Sequence, residues 1–337
     1  MRAGPTDSSG KATNHRRIPY AGSVQPSPDV SVIIVNWNTC QYLLDCIASI
    51  CGETKRTAIE IIVVDNASHD GSQDALRERF PEVKLIENDE NLGFAKANNI
   101  GFAAARGKAV CLVNTDVIAL SGVIDRLWEY LTANPEVGMV GPRTLNREME
   151  VRQNCRRFPT ISNACGDYLW LKKLPVGRFP GRALPMGTYK LTHDAEVLSG
   201  CFMMVRREAV DEVGPLDEDF FFYGEDTDWC KRFHDAGWRI VFHHSAEAIH
   251  FGGGSTAAYP VKYYLTMEKA DLRYWRKHNS AKQVVAYIGT KVVYHLISVA
   301  GWAIIWLGKR VRREQASLKL RGHAINLVWL ITGRSLV

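Results

Sequence analysis

Three acidic residues lie close together within an aromatic segment of the chain. Residues 220–229 read FFFYGEDTDW and place Glu225, Asp226 and Asp228 among large aromatic side chains. A helix dipole favours carboxylates at a helix start, so a solvated helix N-terminus would also account for them. Apolar surroundings raise the pKa of a carboxyl group, however, and a raised pKa suits it to proton transfer. The segment therefore predicts a general base among Glu225, Asp226 and Asp228.

A fourth carboxylate and a histidine have the side-chain chemistry of metal ligands. Asp116 closes the segment Asn114-Thr115-Asp116, directly after the apolar run AVCLV. Mg²⁺ and Mn²⁺ commonly take one or two protein carboxylates and complete their shell with substrate phosphates. His250 precedes the run FGGGS, and an imidazole ligand suits Mn²⁺ better than Mg²⁺. We expect Asp116 and His250 to bind a divalent metal, although each could instead have a structural role.

Two further polar residues end strand-like runs. Asn36 closes VSVIIVN and Asp65 closes EIIVVD, both typical of strands buried on two faces. In an open α/β sheet, ligands bind outside the carboxyl ends of the strands, so Asp65 and Asp116 would face one crevice. A turn-capping role is equally compatible with Asp65.

The elements that must position these residues alternate between strand and helix. We predict an α/β fold with a largely parallel sheet, because short loops join strands at 30–36, 60–65, 84–87, 109–113 and 137–140 to helices at 39–51, 70–80, 94–105 and 121–133. Residues 142–195 lack a period and predict long loops. Beyond them we expect a strand at 201–205, a helix at 225–236, a strand at 239–242 and a helix at 263–278.

Composition excludes several classes of protein. The 337 residues are 46% hydrophobic and 23% charged, which excludes disordered, collagenous and disulfide-scaffold chains. The net charge of +6 resides at the ends, because residues 286–337 carry +7 and residues 30–285 carry −3. A nucleic-acid-binding body is therefore not expected. The eight cysteines form no CxxC pair, which favours free thiols in a reducing compartment.

Taken together, these segments resemble bacterial glycosyltransferase family 2, of the GT-A fold, and most closely its rhamnosyltransferase-like members. The resemblance covers residues 30–255, and its ordered matches are VIIVNWN, IVVDNAS, NLGFAKANNIG, VNTD, LSGCFMMVR, GPLDEDFFFYGEDTDW and HFGGGS. It implies a dTDP- or UDP-linked sugar donor, one divalent metal (Mn²⁺ or Mg²⁺) and an inverting transfer. Rhamnose is the sugar that the closer resemblance suggests.

The resemblance also implies roles for the catalytic and metal-binding candidates. Asp226 of the Glu225-Asp226 pair is similar to the family's catalytic base, and Asp65 to the acid that contacts the nucleoside. Asn114 stands where the family's metal motif usually has a first aspartate, so Asp116 is the expected metal contact. His250 resembles a histidine that joins the metal shell in some members.

Further donor-site residues follow from the same resemblance. Asn91, Gly93 and Asn98 match a segment at the donor site, and Asn36 is the corresponding candidate on the first strand. Arg156 and Arg157 match a loop near the diphosphate or the acceptor, and which of the two points inward stays open at this point.

The C-terminal region has a different pattern. Residues 292–308 are apolar apart from His295 and Ser298, and the basic run KRVRR follows. Lys291, His295 and Ser298 would form a polar stripe opposite an apolar side, a helix suited to an anionic membrane surface. We expect peripheral attachment to the cytoplasmic face of the inner membrane. A span or shallow insertion of residues 284–308 and a buried helix are the alternatives.

These observations divide the chain into a disordered tail at 1–28, a GT-A domain at 29–255 and a helical, membrane-associated extension at 256–337. The function indicated is transfer of a hexose to a cell-envelope glycan or polyprenyl-linked acceptor. A catalytically silent GT-A domain that binds partners or membrane is the alternative. A nucleotidyltransferase is disfavoured, because NWNT follows the first strand where a basic, glycine-rich phosphate loop would be needed.

Overall fold

The computed structural model of the chain describes residues 27–173, 178–252, 260–308 and 312–334. Its first half is a parallel α/β unit with strand order β3-β2-β1-β4. The strands are β1 (Val30–Asn36), β2 (Ile59–Asp65), β3 (Lys84–Glu87) and β4 (Ala109–Asn114), and the helices are α1 (Cys40–Glu53), α2 (Ser72–Arg79) and α3 (Phe94–Ala104).

Alternate residues of β1 belong to two cores, one on each face of the sheet. Val32 and Ile34 pack in the core on the α1 side, whereas Ile33 faces the core that includes α3. A Cβ at Gly101 of α3 would lie 2.5 Å from Ile33, so glycine allows this helix to approach β1 closely. Burial on both faces explains why β1 is a nearly continuous β-branched run.

The second half of the sheet contains strands of both directions. Strand β11 (Phe202–Arg206) lies antiparallel between β4 and β6 (Val137–Leu145), and β12 (Arg239–His250) lies parallel to β6. Strand β5 (Val117–Ala119) closes the edge against β12. The other helices here are α4 (Val123–Ala133), α6 (Arg207–Val213) and α7 (Glu225–Asp235). The predicted α/β class with a mostly parallel sheet is confirmed.

The prediction that residues 142–195 are loops was wrong in part. They contain α5 (Ile161–Tyr168), two 3₁₀ turns and the short strands β7 (Val151–Arg152), β8 (Cys155–Arg156) and β9 (His193–Asp194). Strand β8 pairs with β10 (Val197–Leu198) in a separate two-stranded sheet. Strands of two residues are too short to show a period. The sequence signal for helix α5 is a capping box between Thr160 and Asn163, which has Asn instead of the usual Glu or Gln.

Strand β12 is three times as long as the predicted strand at 239–242. It continues through the polar stretch His243, His244 and Ser245 to His250, with a register shift between His243 and Glu247. The irregular register disrupts the alternation of side chains, which is why the sequence pattern hid the second half of the strand.

Three helices follow the sheet: α8 (Pro260–His278), α9 (Ala281–Gly308) and α10 (Arg313–Thr332). The polar stripe of α9 does not face outward as expected. Lys291 is 4% exposed and donates to Glu268 of α8 at 2.9 Å, and His295 contacts both Glu268 and His323 of α10. The stripe is therefore buried because its partners are charged and polar groups on the neighbouring helices.

The apolar side of α9 is exposed instead. Leu307 and Ile304 are each 70% exposed, and Leu296 and Ile297 are exposed as well. Helix α9 is long and apolar enough to cross a membrane, with a mean hydropathy of 1.5, and is the one such helix among the described residues. Polar groups inside and apolar groups outside are the arrangement of helices in lipid, and this fits a membrane-associated protein. The predicted N-terminal tail up to residue 26 and the basic run at 309–311 lie outside the described residues.

Candidate active site

Asp116 and His250 meet at the edge of the sheet. Strand β5 begins directly after Asp116, and its antiparallel register pairs Val117 with His250 at the end of β12. His250 Nε2 consequently lies 3.3 Å from the Asp116 Oδ1, and the Phe251 amide donates to the Asp116 carbonyl at 2.9 Å. The structure thus brings together the two residues that sequence reasoning proposed as metal ligands.

The charges of this pair are coupled to a cysteine. Burial opposes protonation of His250, yet Cys201 and Asp116 raise the pKa of the imidazole to about 10. Burial likewise works against ionisation of Asp116, but the hydrogen bond and charge of His250 hold the carboxyl pKa below its usual range. At neutral pH the pair is therefore an imidazolium beside a carboxylate, and His250 must release its proton to bind a metal.

The donor atoms at this site fit a divalent metal that is shared with a substrate. Asn114 Oδ1 is buried without a hydrogen-bond partner in the described part of the chain, two residues before Asp116. Those described residues contain no group of three His, Cys, Asp or Glu side chains that could hold an ion alone. Oxygen and imidazole donors suit Mn²⁺ and Mg²⁺, and substrate phosphates would complete the shell.

Asp226 stands at the first turn of α7 with both carboxylate oxygens engaged. Its Oδ2 accepts from Arg156 Nη2 at 3.0 Å and from the Gly200 amide at 3.3 Å. Its Oδ1 accepts from the amide and hydroxyl of Thr227, at 2.6 and 3.0 Å. The carboxylate is fixed by four donors, of which the long, partly exposed Arg156 side chain is the one that can leave without moving the backbone.

Glu225 has a very different environment from that of Asp226. Glu225 is 6% exposed, and its Oε2 has no hydrogen-bond partner in the described structure. Burial, with the neighbouring charge of Asp226 as a second cause, raises the pKa of Glu225 to about 8. A buried carboxyl with a raised pKa is therefore adjacent to the candidate base, a pattern found at functional sites.

Asp228, the third acid of the motif, links two helices. It is fully buried and contacts Arg232 at 2.9 Å, His278 of α8 at 2.7 Å and Lys277 of α8 at 2.8 Å. Burial opposes ionisation, but these partners keep the carboxyl pKa low. With three cationic or proton-donating neighbours, Asp228 anchors α8 to α7 and is not free to accept a substrate proton.

One dipeptide connects the candidate base with the candidate metal pair. The Gly200 amide donates to Asp226, and the carbonyl of the next residue, Cys201, accepts from the Asn114 amide at 2.9 Å. The Cys201 thiol is also close enough to His250 that, despite burial, the imidazole lowers the thiol pKa. Nothing in the residue types of this segment indicates its connecting position.

The carboxylate of Asp65 is buried at the carboxyl end of β2. It accepts from Asn36 Nδ2 at 2.7 Å, the Ser68 amide at 2.8 Å and Gln73 Nε2 at 2.7 Å. Asn36 also accepts from the Thr39 hydroxyl at 2.8 Å. Three donors leave about one of the four lone-pair sites of Asp65 for a ligand. Asn36 accordingly positions Asp65 and the turn that follows it.

The residues at 91–98 hold the wall of the site together. Gly93 has φ +82°, and a Cβ there would lie 2.4 Å from the Phe221 carbonyl oxygen, which also accepts from the Phe94 amide at 2.8 Å. Asn91 accepts from the Gly93 amide, and Asn98 donates to the Phe94 carbonyl. In this conformation their polar groups bond to the chain itself, so their predicted contact with a donor stays a prediction.

The structure settles which arginine points inward. Strand β8 directs Arg156 to Asp226, whereas Arg157 Nη1 donates to the carbonyl oxygens of Gly181 and Ala183. The charge of Asp226 raises the pKa of Arg156 above its already high value. Arg156 is therefore a permanent cation at the candidate base, and Arg157 fixes a loop.

This sheet, with acidic groups gathered at its strand ends, defines a nucleotide-sugar transferase fold. The family model described as Glycosyl transferase family 2 matches residues 31–214, and that of Glycosyl transferase family group 2 matches residues 129–308. The chain belongs to glycosyltransferase family 2.

Characterised relatives and solved structures agree with this assignment. An N-acetylglucosaminyl-diphospho-decaprenol L-rhamnosyltransferase of Mycobacterium tuberculosis is 28% identical over 259 residues, 71% of this chain and 81% of the relative. Glycosyltransferase GlyG of Streptococcus pneumoniae is 32% identical over 216 residues, 63% of this chain and 67% of the relative. A mannosyltransferase of Pyrobaculum calidifontis, solved with GDP-Man and Mn²⁺, superposes with a TM-score of 0.53 at 17% identity, covering 90% of this chain and 88% of that one.

The comparisons confirm the predicted family, the rhamnosyltransferase-like resemblance and the GT-A-like fold. A second structure, GalNAc-T7 with UDP, GalNAc and Mn²⁺, has a TM-score of 0.55 at 15% identity and covers 75% of this chain and 51% of its own. At such identities the structural likeness establishes the fold alone. The protein is a glycosyltransferase family 2 enzyme.

Proposed function

We propose that the enzyme transfers a sugar, rhamnose in the first instance, from a nucleotide-diphospho-sugar to a polyprenyl-linked acceptor with inversion at the anomeric carbon. The observation that carries the proposal is the Gly200-Cys201 connection. Through it, the candidate base and the candidate metal pair contact the same dipeptide, because Gly200 donates to Asp226 and the Cys201 side chain contacts His250. We infer that the reacting sugar binds between the candidate base and the candidate metal pair.

The proposed chemistry is a single displacement. The acceptor hydroxyl attacks the anomeric carbon while its proton passes to Asp226, and the bond to the diphosphate breaks with its electron pair on the leaving oxygen. A divalent cation held by Asp116 and His250, with Asn114 Oδ1 nearby, would neutralise the charge on the leaving diphosphate. Glu225, neutral near pH 7, keeps a second negative charge away from Asp226.

The salt bridge between Arg156 and Asp226 would keep the candidate base occupied until a donor binds. The guanidinium can pair with Asp226 or with a diphosphate, and it has no second carboxylate contact within hydrogen-bond range in the described structure. A donor diphosphate would compete for it, since arginine binds phosphate in a planar, bidentate geometry. Asp226 would then lose one of its four donors and gain a free lone pair for the acceptor hydroxyl.

The identity of the acceptor rests on the relative and on the helices. The Mycobacterium tuberculosis relative acts, by its name, on an N-acetylglucosaminyl-diphospho-decaprenol. The exposed apolar side of α9 would place this chain at a membrane that carries such a lipid, through burial that salt does not screen. We place the catalytic domain on the cytoplasmic face, where nucleotide sugars are made.

A screen of nucleotide sugars tests the proposal. Purified enzyme with Mn²⁺ or Mg²⁺ should be stabilised against heat by one class of donor, and dTDP-rhamnose and UDP-sugars should be compared directly. The same donor should be consumed when an N-acetylglucosaminyl-diphospho-prenyl acceptor is added. Stabilisation without any transfer or hydrolysis would favour the alternative of a catalytically silent domain, and stabilisation by no nucleotide sugar would contradict the donor assignment.

A further inference from the structure

A large groove lies beside the candidate base, between the segment at 217–222 and helix α8. It encloses about 700 Å³, which is within the range of small-ligand sites. Its apolar lining includes Phe220, Phe221, Leu272 and Trp329. Phe221 is 54% exposed, an unusual state for a phenylalanine in a folded domain.

The rim of this groove is basic. Lys269, Arg273, Arg276 and Lys277 are exposed along one side of α8, at a spacing that places them on neighbouring helical turns. Asp217 and Asp219 also line the groove, so its ionic side chains sum to +2. A groove with an aromatic floor and a positive rim complements an anionic head joined to an apolar chain.

Two of the four cations are engaged by the protein, and two are not. Arg273 pairs with Asp219, and Lys277 pairs with Asp217 at 2.5 Å and with the buried Asp228 at 2.8 Å. Lys269 and Arg276 have no ion-pair or hydrogen-bond partner among the residues that the structure describes. The unpartnered pair is therefore available to a ligand, and its removal should leave the anchoring of α8 intact.

The groove approaches the candidate base through two aromatic side chains. Phe222 lines the groove and packs edge-on against Phe94, with ring centroids 6.3 Å apart. A Cβ added at Gly200 would lie 3.6 Å from the Phe94 ring and 3.5 Å from the Asp226 Cβ. Phe222 and Phe94 thus lie between the groove and Asp226.

We propose that this groove binds the diphosphate and the first isoprene units of a lipid-linked acceptor, with Lys269 and Arg276 as the diphosphate contacts. The inference rests on the proposed function, because it assigns the part of the acceptor that does not react. Phosphates of bilayer lipids share this chemistry, so their competition for the groove is one outcome of the test. The aromatic floor holds the chain, and the sugar on the diphosphate is directed to Asp226.

Binding of farnesyl diphosphate to the full chain in neutral detergent tests the groove without requiring sugar transfer. Trp329 in the lining provides a fluorescence signal. The double variant Lys269→Ala/Arg276→Ala should weaken binding about tenfold or more, since each loses a charge-assisted hydrogen bond. The matched control, Lys84→Ala/Arg321→Ala, removes two exposed cations outside the groove and should bind like the wild type. Phe221→Ala should weaken binding of farnesyl diphosphate but not of inorganic diphosphate.

Three binding results would overturn the assignment. An equal loss in the control variant would mean that binding follows total charge. Displacement of farnesyl diphosphate by UDP would locate it at the donor site, and displacement by phosphatidylglycerol would assign the groove to bilayer lipids. Sugar transfer is measured separately. Transfer to a prenyl diphosphate acceptor with an unchanged KM in Lys269→Ala/Arg276→Ala would refute the groove alone, and groove binding without any transfer would refute the proposed function alone.

Discussion

Replacement of Glu225 by Gln should remove a pH-dependent loss of stability. The pKa of Glu225 is raised to about 8 in the folded chain, from an ordinary value of 4.5, by burial and by Asp226. Between these values the folded state binds the proton and the unfolded state does not. The contribution of this group is therefore fully present below about pH 4.5 and is lost as the pH rises through about 8, with a slope of at most about 1.4 kcal/mol per pH unit.

Chemical unfolding of wild type and Glu225→Gln at pH 5, 6, 7 and 8, followed by tryptophan fluorescence, measures this effect. The amide has the shape of the protonated carboxyl, so the variant should gain free energy of unfolding relative to wild type as the pH rises. Glu208→Gln is the matched control, because Glu208 has a side chain that is 79% exposed. A constant difference between wild type and Glu225→Gln at all four pH values would refute the assignment of a neutral, buried carboxyl.

Three other predictions follow from the site and the helices. Asp116→Ala should abolish metal-stimulated turnover, whereas His250→Ala should retain part of it and favour Mg²⁺ over Mn²⁺; unchanged metal titrations in both variants would contradict the metal site. Gly93→Ala should lower the free energy of unfolding by roughly 1–3 kcal/mol, because of its positive φ and the contact with Phe221; a wild-type urea midpoint would contradict this. The full chain should sediment with anionic vesicles and be only partly released by high salt, since the exposed apolar side of α9 binds without charge; complete release would mean that this side does not insert.

The first half of the fold could be predicted from the sequence almost to the residue. Strands β1, β2 and β4 are buried on both faces, and continuous β-branched runs bounded by turns identify such strands. The second half of β12 could not be predicted, because its register shift and its polar residues break the pattern. The orientation of α9 was also hidden, because an amphipathic pattern tells which residues share a side but not what that side faces.

The sequence indicates which residues form the site but not the contacts that join them. Asp116 and His250 were named as ligands, but the β5–β12 register that joins them is a property of the sheet. Asp226 and Asp228 look equivalent in the sequence, and only the cations of α7 and α8 around Asp228 separate a structural acid from an accessible one. The role of Gly200 rests on one backbone amide, which no side-chain pattern can indicate.

The stereochemistry of the wild-type product, compared with the turnover of the Asp226→Asn variant, tests the central claim most directly. NMR of the glycosylated prenyl diphosphate should show an anomeric configuration opposite to that of the donor. The variant should bind the donor with wild-type affinity and turn over about 10²–10⁴-fold more slowly, because the amide cannot accept the proton. Retention of configuration, or near-normal turnover by Asp226→Asn, would contradict single displacement with Asp226 as the base.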